Sequence, residues 1–394
     1  MSYYDYQQTA RYIQCEGALD EIRRYTFGLG KKFLILTSCG VITEDVTCRI
    51  RESFAASMAD KLMPEIANKN SRYNKQMGEA KRFDQLGVPA PELAFMNIDG
   101  VDVTDQNIEK LVQYVKENGI DVVVGAGGGR AMDFSRGIAF YTNIRCVLVP
   151  TSASTNAAAT QLSIVHADDG SQKEHYLSMA NYPDLVLADT GILIGNSGDM
   201  IVAGAADQIC SYYEYLYDLR HIGNRDQFSE LCLKIVDSCQ ELLLKYTKAA
   251  REAAEKKEIT KEFEMVLSMI LHNSGIARSL SGSGLSHTLG RALVLFPACR
   301  TTVMHGMQVG YGIIPMMIAE GESAETVQEY IRFAKSVGIP TTLAELNLAD
   351  VTRDELLAAC NEVCDPNRAS VPFSGEQLTE CIYKAEELVR ALSA

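Results

Sequence analysis

An α/β first part followed by an all-helical second part is the fold class this sequence predicts. Two observations carry it. Short, fully apolar runs alternate with amphipathic helical segments through the first half, and β-like runs largely disappear after Gly198. Strands that are apolar on both faces belong to a parallel sheet covered by helices on both sides. The boundary is expected near Gly191–Gly198, which gives domains 1–194 and 195–394.

The elements follow in order. Lys32 to Thr37 reads as a buried strand, Thr47 to Leu62 as a helix and Leu93 to Met96 as a weaker strand. Asp105 to Asn118 sets Ile108, Leu111, Val112 and Val115 on one helical face, and Gly119 ends that helix. Asp121 to Val124 is an apolar strand that runs into glycines, and Arg145 to Val149 is another, stopped by Pro150. Ser163 to His166 leads to the turn residues Asp168-Asp169-Gly170, which reads as a hairpin-like excursion; Asp184 to Asp189 returns to the sheet. The second part reads as helices at 201–217, 227–256, 261–279, 284–296, 305–320, 324–337, 341–346, 353–363 and 375–392.

Composition narrows the functional classes. A formal net charge of −14 repels phosphate backbones, which argues against nucleic-acid partners. No stretch approaches the roughly 20 apolar residues of a membrane span. The opening residues Met1 to Gln8 carry no basic-then-apolar leader, so a cytoplasmic location is expected. The eleven cysteines include no CxxC pair, and Cys360 and Cys364 are the nearest neighbours. Reduced thiols are therefore expected rather than a disulfide framework or a structural zinc cluster.

Chemistry concentrates at two loops. Gly125-Ala126-Gly127-Gly128-Gly129-Arg130 joins an apolar strand to a helix that begins near Ala131. Glycines at such a junction let backbone N–H groups approach a pyrophosphate, and the helix start adds partial positive charge. The spacing departs from GxGxxG, and four glycines in five positions exceed what a tight turn alone requires. Pro150-Thr151-Ser152-Ala153-Ser154-Thr155-Asn156 follows the next strand. Its small hydroxyl residues suit either a cofactor lining or a helix-capping loop.

The stretch Gly127-Gly128-Gly129-Arg130-Ala131-Met132-Asp133 resembles the GGGKxxD motif of glycerol dehydrogenases, in the iron- and zinc-dependent alcohol dehydrogenase superfamily. Val149 to Thr155 is similar to that family's VPTxAST segment and Pro183 to Thr190 to its PxLVLVDT strand. Ala203-Gly204-Ala205-Ala206-Asp207 is similar to AGMGD, and His305-Gly306 to HGE. The matches stand in order across most of the chain. The resemblance implies a dehydroquinate synthase-like fold: an α/β dinucleotide-binding domain and a helical metal-binding domain.

It also implies a hydride transfer between NAD and a small alcohol or polyol, or its carbonyl counterpart, in a homo-oligomer. Asp207, His287 and His305 match the metal ligands. Zinc is expected over iron, because the iron branch usually has a third histidine and none follows His287 before His305. The implied cofactor set is Ser38, Gly127, Gly128, Gly129, Arg130, Asp133, Thr151, Ser154, Thr160, Leu162 and His166. Four positions depart from the family pattern: Ser38 stands where Asp is usual, Arg130 for Lys, Asn156 for a substrate-contacting Asp and His166 for Tyr. Ser38 weakens the expected preference for NAD over NADP. Asn156 shifts the expected substrate away from glycerol, toward another small hydroxy or oxo compound. The alternatives are a lyase of the dehydroquinate synthase type and an oxidoreductase of small 2-hydroxy or 2-oxo acids.

Overall fold

Six strands form one parallel sheet in the order β1-β8-β5-β4-β2-β3: β1 (Arg11–Cys15), β2 (Lys32–Ser38), β3 (Glu92–Asn97), β4 (Val122–Gly127), β5 (Arg145–Pro150) and β8 (Leu185–Asp189). An antiparallel hairpin pairs β6 (Leu162–His166) with β7 (Glu174–Ser178). The computed structural model describes residues 10–56, 89–168, 174–222, 230–273, 275, 284–365 and 371–392.

Burial explains the central strands. Residues 122–127 of β4 are all buried, as the apolar run predicts for a sheet covered on both faces. The strand continues through Gly125 to Gly127, beyond the predicted Val124, because pairing with β2 and β5 persists there. Gly125 and Gly127 have a packing reason. A Cβ at Gly125 would lie 2.4 Å from Ser135 Oγ, and one at Gly127 would lie 2.5 Å from the Ser38 carbonyl oxygen. Their bare backbones let the helix Gly129–Thr142 lie directly on the sheet.

Contacts divide the chain into two units. One holds Ala10–Thr151 and Gln161–Leu193 and contains the sheet. The other holds Ser152–Thr160 with the chain from Ile194 on and is helical. The main helices of the second unit are Gly198–Ile222, Glu230–Lys256, Lys261–Ser268, Leu285–Leu293, His305–Ala319, Ala324–Val337, Arg353–Val363 and Gly375–Ala391.

Four differences from the sequence reading are informative. β1 lacks a clear pattern, with no residue fully buried, and its register comes from pairing with β8. The helix from Lys261 gives way at Met269–Asn273 to a π-helical turn. Residues 341–346 hold only a short turn at Ala344–Leu346, where Glu345 Oε2 accepts the Thr341 and Thr342 N–H groups. The first long helix starts at Thr43 and is described to Ala55. Residues 57–62 of that predicted helix, the Asp169-Gly170 turn, residues 227–229 of the predicted 227–256 helix and residues 274 and 276–279 of the predicted 261–279 helix lie outside the described residues.

Candidate functional site

In the sheet unit, Ser38, Gly127 and Thr151 of the predicted cofactor set stand at the carboxyl ends of three neighbouring strands. Register pairs Ser38 with Gly127 and Gly127 with Pro150, and the Thr151 N–H donates to the Gly127 carbonyl at 2.9 Å. From β2 the chain passes outward to β3, and β4 returns on the other side of β2 to continue toward β5. Ser38 and Gly127 therefore lie at the switch point, where open α/β sheets bind ligands. Gly128 is the N-cap of the 14-residue helix Gly129–Thr142 and makes no side-chain cap bond. That helix start suits an anionic pyrophosphate. Arg130 is exposed beside it.

Asp133 plays a different part from the glycines. Its Oδ1 accepts from Arg136 Nη2 at 2.8 Å and from the Ile164 N–H at 3.2 Å, and its carbonyl accepts from Ser163 Oγ at 2.8 Å. It ties β6 to the helix. Burial raises its pKa, and the adjacent Arg136 offsets part of that rise. Leu162 and His166 stand at the two ends of β6, and His166 is exposed.

In the helical unit, Asp207, His287 and His305 come together. Their ligand atoms lie within 4.8 Å of one another. Bare backbone makes this possible. A Cβ at Gly306 would fall 1.9 Å from the Ala203 carbonyl oxygen, so His305–Ala319 crosses Gly198–Ile222 at contact distance. A Cβ at Gly312 would fall 2.5 Å from Ser286 Oγ, which brings Leu285–Leu293 equally close. A Cβ at Gly204 would fall 1.9 Å from the Ala153 carbonyl oxygen, so the Ser152–Thr160 segment rests on the same helix.

That segment also fixes the carboxylate. The Asn156 N–H donates to Asp207 Oδ2 at 3.1 Å. Asp207 Oδ1 is buried without a hydrogen bond, 3.4 Å from His287 Nε2. Burial would raise the Asp207 carboxyl, but His287, His305 and the Asn156 N–H outweigh it and hold it at about 2. Burial would lower the His287 imidazole, but the carboxylate of Glu214 and the neighbouring Cys210 and Asp207 raise it well above its ordinary value. The cluster therefore stabilises positive charge. Two imidazoles and a carboxylate with an orphaned oxygen are a donor set that fits a divalent ion. His305 is its exposed member. Asn156 is buried, and its side chain does not cap the Ala157–Ala159 turn. Ser154 shares a 3.0 Å hydrogen bond with Ser152, and Thr160 Oγ1 donates to the Ala157 carbonyl at 3.4 Å.

Sequence reasoning missed Glu214. It stands two helical turns after Asp207 on the same face, and that spacing was the available signal. Its carboxylate accepts both the His287 backbone N–H and Nδ1–H, at 2.8 and 2.7 Å.

A family model described as iron-containing alcohol dehydrogenase matches residues 80–190. A glycerol dehydrogenase of Thermotoga maritima is 30% identical over 275 residues, covering 68% of this chain and 74% of that relative. The chain belongs to the iron-containing alcohol dehydrogenase family. It stands in the glycerol dehydrogenase-like branch and is a metal-dependent, NAD-linked alcohol oxidoreductase. A glycolaldehyde reductase of Halobacterium salinarum is 26% identical over 282 residues, 69% of this chain and 77% of that relative. The solved structure of a probable glycerol dehydrogenase from Sinorhizobium meliloti superposes with a TM-score of 0.82. It covers 98% of this chain and 99% of its own at 22% identity, which speaks to the fold.

Proposed function

We propose that this alcohol oxidoreductase holds zinc at Asp207, His287 and His305 and uses NAD in preference to NADP. Its substrate is a small polyol or a related hydroxy or oxo compound. The convergence of those three side chains, from three helices, is the observation that carries the reading.

A divalent ion at this site would act as a Lewis acid on the alcohol or carbonyl oxygen, and NAD would supply the hydride acceptor. The protein's own part is orientation. The Asn156 N–H holds one oxygen of Asp207 and leaves the other to the cluster. Glu214 holds one nitrogen of His287 and leaves Nε2 on the Asp207 side. In the sheet unit, Gly127, Gly128, Gly129 and Thr151 would hold the pyrophosphate through backbone groups, with Ser38 beside the ribose. Arg130, Asp133, Ser154, Thr160, Leu162 and His166 complete the proposed cofactor set. The protein is proposed to be a cytoplasmic homo-oligomer. No described helix is long and apolar enough to cross a membrane.

Asn156 gives the substrate reading its direction. An amide brings no negative charge, so a substrate with a carboxylate or another electron-rich oxygen meets a smaller electrostatic barrier than a carboxylate would impose. Kinetics on glycerol, 1,2-propanediol, glycolaldehyde and a 2-oxo acid, each with both cofactors, test the proposal. Glycerol is expected to have a lower kcat/KM than at least one of the others. If glycerol is best and Asn156→Asp changes no substrate's kcat/KM, the altered specificity is wrong. Absence of turnover with all four in zinc-loaded protein would remove the substrate class.

A further inference from the structure

We infer that Glu214 is a positioning residue of the metal centre, holding His287 in the tautomer that keeps its proton on Nδ1. Nε2 then presents its lone pair to the cluster of Asp207 and His305. The inference rests on the reading that those three residues hold a metal.

The geometry is specific. Glu214 is 1% exposed, so its carboxylate needs partners within the fold. It finds two on one residue: Oε1 accepts the His287 backbone N–H and Oε2 accepts the ring Nδ1–H. The bidentate hold fixes the ring relative to its own backbone. Space for it comes from Gly284, where a Cβ would lie 2.7 Å from Glu214 Cγ. Gly284 is also the N-cap of Leu285–Leu293 and makes no side-chain cap bond, so Glu214 caps this helix from a neighbouring one. A carboxylate behind a ligating imidazole selects its tautomer and increases its basicity. The Cys210 thiol, with Sγ 3.4 Å from Nδ1, is the competing partner. The shorter contact to a full charge makes Glu214 the stronger acceptor.

Glu214→Gln is the decisive change. Two N–H donors need two acceptor oxygens, and an amide has one. If the amide NH2 faces Nδ1, the ring proton moves to Nε2 and the lone pair is lost from the cluster. If it faces the His287 backbone, two donors collide. Apo-protein titrated with zinc against a competing chelator should show about 10- to 100-fold weaker binding in Glu214→Gln. Cys210→Ala should bind zinc as the wild type does.

Nitrogen-15 spectra of the zinc-bound wild type should show His287 protonated on Nδ1 and not on Nε2, a readout that does not depend on the variant folding. Unchanged zinc affinity in a folded Glu214→Gln protein, even with a lowered melting temperature, would reduce Glu214 to a helix cap and overturn the inference. So would a zinc-bound His287 that carries its proton on Nε2 instead of Nδ1, or loss of zinc from Cys210→Ala with Glu214→Gln unaffected. Normal zinc affinity in His287→Ala would instead remove the underlying metal reading, and the inference with it.

Discussion

The Ser38 hydroxyl donates a hydrogen bond to Asp99 Oδ1 at 3.1 Å, and Thr43 donates to the other oxygen of that carboxylate at 3.4 Å. Ser38 alone reads as the loss of an acceptor and of a charge. The carboxylate arrives from the neighbouring strand instead, just past the end of β3. Asp99 is exposed beside the strand end where the resemblance sets the adenosine ribose. A carboxylate there favours ribose hydroxyls and repels a 2′-phosphate. Asp99→Asn should therefore reduce the ratio of kcat/KM for NAD over NADP by roughly tenfold, the size of one screened charge interaction. An unchanged ratio would show that selection lies elsewhere.

Removing His287 tests the metal centre directly. His287→Ala should lose bound metal and turnover together, because losing a single ligand of three leaves too few donors for a catalytic site. Elemental analysis after dialysis gives the stoichiometry, and circular dichroism shows whether the fold persists. Normal stoichiometry with normal activity would contradict the assignment.

Gly306→Ala tests the helix crossing. The new methyl would sit 1.9 Å from the Ala203 carbonyl oxygen, and backbone cannot yield as a flexible side chain can. Overpacking of this kind costs about 1–3 kcal/mol. His305 should also move away from Asp207, so metal affinity should fall with the melting temperature. A methyl accommodated with neither change would mean that the two helices are free to separate.

Asp189 offers a test of the sheet unit. Fully buried, it accepts the N–H groups of Gly17, Leu19 and Gly191 at 3.1, 3.0 and 3.0 Å, and Arg49 Nη2 at 2.6 Å. Asp189→Ala orphans these donors and should destabilise the protein by about 3 kcal/mol, the lower end for a broken buried pair because Arg49 keeps Asp20. Urea unfolding measures the loss. Metal stoichiometry should not change, since Asp189 belongs to the sheet unit and the cluster to the helical one.

The sequence by itself determined the alternation of apolar strands and amphipathic helices, the glycine loop and the residue types of the cluster. These are local: periodicity, turn chemistry and short motifs lie within a few residues of one another. Ala324–Val337 and Arg353–Val363 have their predicted bounds because capping and periodicity agree there. Tertiary structure decided the rest. Asp207, His287 and His305 are separated by long stretches of chain, and only the close helix crossings at Gly306 and Gly312 bring them within ligand distance. β1 became a strand through pairing with β8, and Asp99 reached Ser38 because β3 lies beside β2. Glu214 acquired its role from a hydrogen bond spanning 73 residues. Such contacts depend on which backbones can approach one another, a property of packed shapes that no local pattern encodes.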